Sequence, residues 1–260
     1  MHSQTTLSVP SPPLSSALGR TGVLVYGVVA YAIGIGGLCS LIAVSVGLLP
    51  LTGGPVAIGT TGGAIAFNLL FVALFGVQHA VMARPAFKER WTRIIPAAME
   101  RPTFVLLSGV IMGSAMWLWQ PLPSTVWAVE SAALANALRG VAALGWCYML
   151  AASFAIDHFE LFGLKQVWRN FVGSEPPRVP FVSRLMYRFD RHPLMSGILI
   201  GLWCTPSMTV GRLVLAAGFS AYIMIGVAIE ERTLVALHGD GYREYRRKVG
   251  ALVPLPGRRG

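Results

Sequence analysis

The residues best suited to chemistry fall in two short stretches, residues 187–197 (YRFDRHPLMSG) and EERTL from Glu230. Each sets ionisable side chains against an apolar run, where a charge is costly unless it is paired or functional. Pro193 suits the first turn of a helix. The unpaired N–H groups and positive dipole end of such a turn can meet an anionic ligand group. Gly197 lets a ligand or a neighbouring helix come close. Glu230 and Glu231 end an apolar run with the wrong sign for a helix C-terminus. They therefore call for a cation, which Arg191, Arg232 or a cationic ligand could supply. The segment after them, TLVALHGDGYREYRRKV, places Tyr242 and Tyr245 among basic residues in what reads as a surface helix.

A second group lies at the ends of two other apolar runs. Gln78 and His79 close one, and Asp157, His158 and Glu160 close another. Asn68 and either Gln78 or His79 could share one polar helix face. A histidine at such a boundary is either a hydrogen-bonded interface residue or a proton acceptor. Two histidines with nearby carboxylates raise the question of zinc, but no HxxxH or CxxC accompanies them, so no metal is expected. Cys39, Cys147 and Cys204 all fall in apolar runs and read as packing residues without a disulfide.

These groups must be positioned by membrane helices. The chain of 260 residues is 54% hydrophobic and 12% charged, too apolar for an ordinary soluble domain. Apolar runs of spanning length occur at residues 23–49, 63–82, 103–119, 133–156 and 213–229. A shorter one at 194–205 is broken by glycines and Pro206. The expectation is an all-α, polytopic transmembrane helical bundle of five or six spans.

The net charge of +10 could suggest nucleic acid, but its placement argues for a bilayer. With six spans, 18 of the 21 basic residues fall in segments on one side, Arg84 to Arg101, Lys165 to Arg191 and Arg232 to Arg259, while residues 50–62 and 120–132 have none. By the positive-inside rule that side, with both termini, is cytoplasmic. In a bacterium this means the inner membrane. Residues 1–20, rich in Ser, Pro and Thr, are expected to be disordered, leaving 21–260 as a single integral membrane domain. Trp117, Trp119 and Trp127 read as an outer aromatic belt. Lys165, Trp168 and Arg169 suit a helix lying on an anionic membrane surface.

RHPLMSG, followed by EERTL and YREYRRKV, resembles the isoprenylcysteine carboxyl methyltransferase superfamily of integral membrane enzymes. The wider set PLTGGP, FGVQHAVMARPAFK, WTRIIP, WQPLP, IDHFELFGLKQVW, RHPLMSG, EERTL and the terminal LVPLP resembles the methanethiol S-methyltransferase family within it. That resemblance implies S-adenosylmethionine as methyl donor, methanethiol or another small thiol as acceptor, and dimethyl sulfide as product. It also implies cytoplasmic C-terminal elements, residues 187–250, that form most of the cofactor site. Tyr187, His192, Pro193 and Leu194 would line it and Glu230 would bind the donor's amino group, with Arg191, Met195, Gly197, Glu231 and Tyr245 beside them. Met195 stands where the superfamily usually has an aromatic residue, which bears on cofactor affinity. For the acceptor, polarity and depth point to His79 as proton acceptor, with Asp157 or His158 orienting it or sharing the proton. Alternatives are methylation of another thiol, a carboxyl or a lipid-borne group, a membrane reductase, for which no dinucleotide fingerprint is present, or a small transporter. Transporters place their charges near the bilayer midplane, whereas these cluster at one face.

Overall fold

The computed structural model describes residues 17–175 and 185–252. The chain runs through α1 (Ala17–Ser45), α2 (Thr61–Met82), α3 (Pro85–Trp91), α4 (Ala97–Leu118), β1 (Thr125–Ala128) and α5 (Ala132–Ile156). It continues through α6 (His158–Leu161), α7 (Leu164–Val172), a 3-10 turn (Leu185–Arg188), α8 (Pro193–Trp203), β2 (Ser207–Thr209) and α9 (Val210–Lys248). Five of these helices, α1, α2, α4, α5 and α9, are long and apolar enough to cross a membrane. Side-chain oxygens start four elements by accepting the N–H three residues on: Thr60 for α2, Ser131 for α5, Asp157 for α6 and Thr209 for α9.

The number of passages is decided by the short ribbon. β1 and β2 pair antiparallel, with Trp127 opposite Met208 and Ala128 opposite Ser207. Trp127 Nε1 donates to Thr205 O at 3.2 Å and Val129 N to Pro206 O at 2.9 Å. The α4–α5 and α8–α9 connections therefore meet at one end of the bundle, and the described residues run through it six times, five of them on full-length helices. The remaining passage is α8, whose 11 residues rise only about 16 Å. Both ends of the described chain lie at the other end of the bundle, where α7 packs on α1 through Val167 and Gly27.

Helices approach closely where side chains are absent, as is usual in lipid. A Cβ on Gly37 of α1 would lie 2.5 Å from Gly109 O of α4. A Cβ on Gly197 of α8 would lie 2.6 Å from Gly145 O and Met149 N of α5. The core between them is built from Leu41, Met112, Met116, Trp119, Trp146, Met149, Leu215 and Phe219. The outward faces carry exposed apolar residues such as Leu144 and Ile225, as a lipid-facing surface requires.

Several expectations are corrected. α1 begins at Ala17, so residues 17–20 are helical; residues 1–16 lie outside the described residues. Trp119 is fully buried and belongs to the core, leaving Trp117 and Trp127 exposed for a belt. Asn68 does not share a polar face with Gln78 and His79. It is completely buried at the ribbon end, exchanging hydrogen bonds of 3.0 and 2.8 Å with the Gln120 backbone. Arg101 is not a loop charge but lies inside α4, buried, donating to Leu161 O at 2.7 Å with its guanidinium 4.7 Å above the Phe104 ring. α7 is the amphipathic helix expected near Lys165, Trp168 and Arg169; residues 176–184 of that stretch lie outside the described residues.

Candidate active site

The 187–197 stretch and the end of α9 come together as one cluster. Pro193 opens α8, as its missing N–H and fixed φ favour. Asp190, completely buried, sits just ahead of it. Its Oδ1 accepts the His192 N–H at 2.9 Å and its Oδ2 accepts the Tyr148 hydroxyl of α5 at 3.4 Å. Burial holds this carboxyl above the usual carboxylate range in spite of those bonds and that of Ser196. A carboxyl of the chain itself thus takes up the His192 N–H just ahead of α8, leaving the N–H groups of Leu194 and Met195 to the first turn.

Arg191 and Glu231 form the centre. Arg191 Nε donates to Glu231 Oε1 at 2.7 Å, and its Nη1 to Arg246 O and Val249 O at 2.8 and 2.6 Å. Its backbone N–H reaches Gly250 O at 3.0 Å. Glu231 also meets His192 Nε2 at 3.2 Å and Arg246 Nε at 3.1 Å. Tyr245 adds a hydroxyl bond of 2.6 Å to Tyr187 O. The end of α9 can fold over the loop because Gly239, at φ 56° and ψ −131°, breaks the helix in a conformation that side chains disfavour.

The two adjacent carboxylates consequently differ. Glu231 is 8% exposed and surrounded by Arg191, His192 and Arg246, whereas Glu230 is 22% exposed with its Oε2 3.7 Å from His192 Nδ1. Tyr187 is buried beside them, and burial, with Glu230 adding to it, raises its phenol. Leu194 and Met195 are half-buried in the first turn of α8.

The other expected residues divide into two networks. His79 stacks on Phe75 with ring centres 4.5 Å apart, touches Phe104 at 4.5 Å and meets the edge of Tyr222 at 6.1 Å. Its Nδ1 lies 3.3 Å from Gln78 Oε1 and 3.2 Å from Ser108 Oγ. His158, buried, uses Nδ1 on Ser153 Oγ and Nε2 on the Tyr31 hydroxyl, each at 2.9 Å, and stacks on Phe154. Burial lowers the basicity of this imidazole, with Asp157 opposing. Asp157, at φ 149°, joins α5 to α6, accepts the Glu160 N–H at 3.2 Å and pairs with Lys165. The orienting contacts expected of Asp157 and His158 are made to His79 by Gln78 and Ser108, while Asp157 and His158 brace α1, α5 and α7.

A cavity of about 240 Å³ lined by Ile58, Thr60, Pro121, Ser124 and Val210 lies at the ribbon end, away from these groups, so the site is read from its side chains rather than from a void.

The chain as a whole has known relatives. A methanethiol S-methyltransferase of Mycobacterium tuberculosis is 44% identical over 197 residues, covering 76% of this chain and 81% of that protein. Methanethiol S-methyltransferase 2 of Bradyrhizobium diazoefficiens is 43% identical, covering 90% of this chain and 91% of its own. The methanethiol S-methyltransferase of Crocosphaera subtropica is 37% identical over the whole of both chains. The chain belongs to the methanethiol S-methyltransferase family. No family model matches it, and no solved structure does. In this member of the methanethiol S-methyltransferase family, sequence reasoning missed Tyr148, Asp190, Arg246, Ser108 and the role of Gln78. Asp190 sat in plain view within YRFDRHP. Tyr148 and Ser108 lie in apolar runs where a lone hydroxyl carries no signal.

Proposed function

We propose that the protein transfers a methyl group from S-adenosylmethionine to methanethiol, giving dimethyl sulfide and S-adenosylhomocysteine. The observation that carries this reading is 37–44% identity to methanethiol S-methyltransferases across most or all of the chain. The site chemistry fits such a donor. Glu230 is the more open carboxylate and suits the amino group, while the first-turn N–H groups at Leu194 and Met195 suit a carboxylate. Tyr187, His192 and Pro193 line the same place, and Gly197 keeps α8 against α5. Arg191, Glu231 and Tyr245 act as positioning residues that hold the end of α9 over the loop. When bound, the donor supplies an electrophilic methyl on a cationic sulfur that leaves as a neutral thioether.

The chain's own work is alignment, exclusion of water and proton removal. His79 takes the thiol proton, because a thiolate is the better nucleophile. From α1 onward the chain acts as one domain in a bacterial inner membrane, with both termini cytoplasmic. That orientation is supported by the basic segments and by the six passages.

Headspace analysis tests the assignment. Purified protein incubated with methyl-labelled S-adenosylmethionine and methanethiol should release labelled dimethyl sulfide. Absence of that product, with activity on a prenylated cysteine or an amine instead, would overturn the acceptor.

A further inference from the structure

We propose that Gln78 and Ser108 are positioning residues that hold His79 in the tautomer protonated at Nδ1, so that Nε2 is the atom that takes the thiol proton. The inference rests on the reading of His79 as proton acceptor and deepens it.

The argument is one of donors and acceptors. Gln78 Nε2 lies 3.3 Å from Phe104 O and 3.1 Å from Met82 Sδ, neither of which can donate. The amide nitrogen must face them, so Gln78 Oε1 faces the other way, 3.3 Å from His79 Nδ1 and 3.0 Å from Ser108 Oγ. Ser108 Oγ is 2.8 Å from Phe104 O and 3.2 Å from His79 Nδ1. Were its single proton given to Nδ1, Gln78 Oε1 would face a ring lone pair with no donor between them, so the proton goes to one of the two carbonyl oxygens and a lone pair is left toward the imidazole. Gln78 and Ser108 therefore both present acceptors to Nδ1, and the proton of the neutral ring belongs there. The second nitrogen then carries the lone pair.

Packing fixes the ring as well as the proton. Phe75 lies nearly parallel to it at 28°, Phe104 is tilted at 56° and Tyr222 stands edge-on at 85°. A half-turn of the imidazole, which would exchange its nitrogens, has to displace these rings. Aromatic walls also suit a small uncharged thiol, whose polarisable sulfur packs well on them.

In the resulting step the thiol S–H bond breaks with its electron pair left on sulfur, and the proton moves to Nε2. The imidazolium so formed keeps its Nδ1–H on Gln78 and Ser108 and later releases the new proton to water. The sulfur pair so exposed would be the nucleophile for the methyl of a bound donor, whose sulfonium would take the C–S bonding pair and leave as a neutral thioether.

The test reads the tautomer directly. Nitrogen NMR of the protein labelled in histidine, with no donor or thiol added, should show the His79 signals, assigned by their loss in His79→Gln, with a proton on Nδ1 and a bare Nε2. Gln78→Leu should move population to the other tautomer, Ser108→Ala should do so in part, and Ser108→Thr should restore the original pattern. Gln78→Leu should also slow methanethiol methylation about 10- to 100-fold at neutral pH, with the deficit shrinking for more acidic thiols that arrive already ionised. A wild-type spectrum protonated at Nε2, or variants with unchanged spectra and unchanged dependence on thiol acidity, overturns the inference. If His79→Gln itself turns over methanethiol normally, the base assignment fails instead. If Gln78→Leu does not fold, the Ser108→Ala and Ser108→Thr pair decides the question.

Discussion

Replacing Gly197 by alanine adds one methyl group where the facing atoms are backbone and cannot rotate away. The new Cβ would lie 2.6 Å from Gly145 O and Met149 N and 2.7 Å from Met149 Cβ. Ordinary contact begins at 3.4 Å, so α8 and α5 must part by about 0.8 Å, the difference between 3.4 and 2.6 Å. α8 carries residues 190–192 at its head. A displacement of that size along the same line takes the Tyr148–Asp190 contact, already 3.4 Å, beyond hydrogen-bond distance and loosens His192 from Glu231 at 3.2 Å. Overpacking of this kind costs about 1–3 kcal/mol, and a binding group misplaced by about 1 Å can lose on the order of 100-fold. Thermal unfolding in detergent and calorimetric titration of S-adenosylmethionine should show both effects in Gly197→Ala. Gly140→Ala, in the same α5 but with nothing within 4 Å of its Cβ, should be neutral or up to about 1 kcal/mol more stable. A Gly197→Ala protein with wild-type melting and wild-type donor affinity would refute the close-packing argument.

Glu231→Gln should destabilise by about 3 kcal/mol, because it strands Arg191, 9% exposed, together with Arg246. Glu230→Gln should instead cost less stability than Glu231→Gln and weaken donor binding; equal loss of stability in the two variants would count against dividing their roles. Burial lowers the His158 pKa below its unfolded value, so its contribution is full above that value and is lost as pH falls through the folded one. Wild-type protein should therefore melt lower at about pH 5 than at about pH 8. His158→Gln should be less stable than wild type at the higher pH but should lack that part of the slope, and a wild-type melting temperature flat over this range would contradict the assignment.

The helices were legible because their signal is apolar length, which a bilayer enforces residue by residue. α8 was legible only as a broken run, since a passage completed by extended residues and a two-stranded ribbon leaves no periodic trace. RHPLMSG and EERTL located the cluster, but their internal pairing was not readable: Arg191 and Glu231, 40 positions apart, satisfy each other, which leaves Glu230 as the carboxylate that differs. Arg101 misled for a related reason. A cation near a helix start reads as a loop charge unless a carbonyl such as Leu161 O and a ring such as Phe104 are known to receive it. His79 stood out by type, whereas its partners Gln78 and Ser108 are meaningful only across two helices.

The shortness of α8 has a consequence for where two unlike reactants can meet. A donor carrying three charged groups partitions into water, while a volatile thiol and the thioether made from it partition into hydrocarbon. Hydrocarbon about 30 Å thick offers them no common depth along a full-length helix. A helix of 11 residues, headed by Asp190, Arg191 and His192, sinks a polar floor about 14 Å below that thickness. On the reading proposed above, the reaction then sits at the boundary between two solvents, the water-soluble reactant coming from one and the thiol and its product passing through the other.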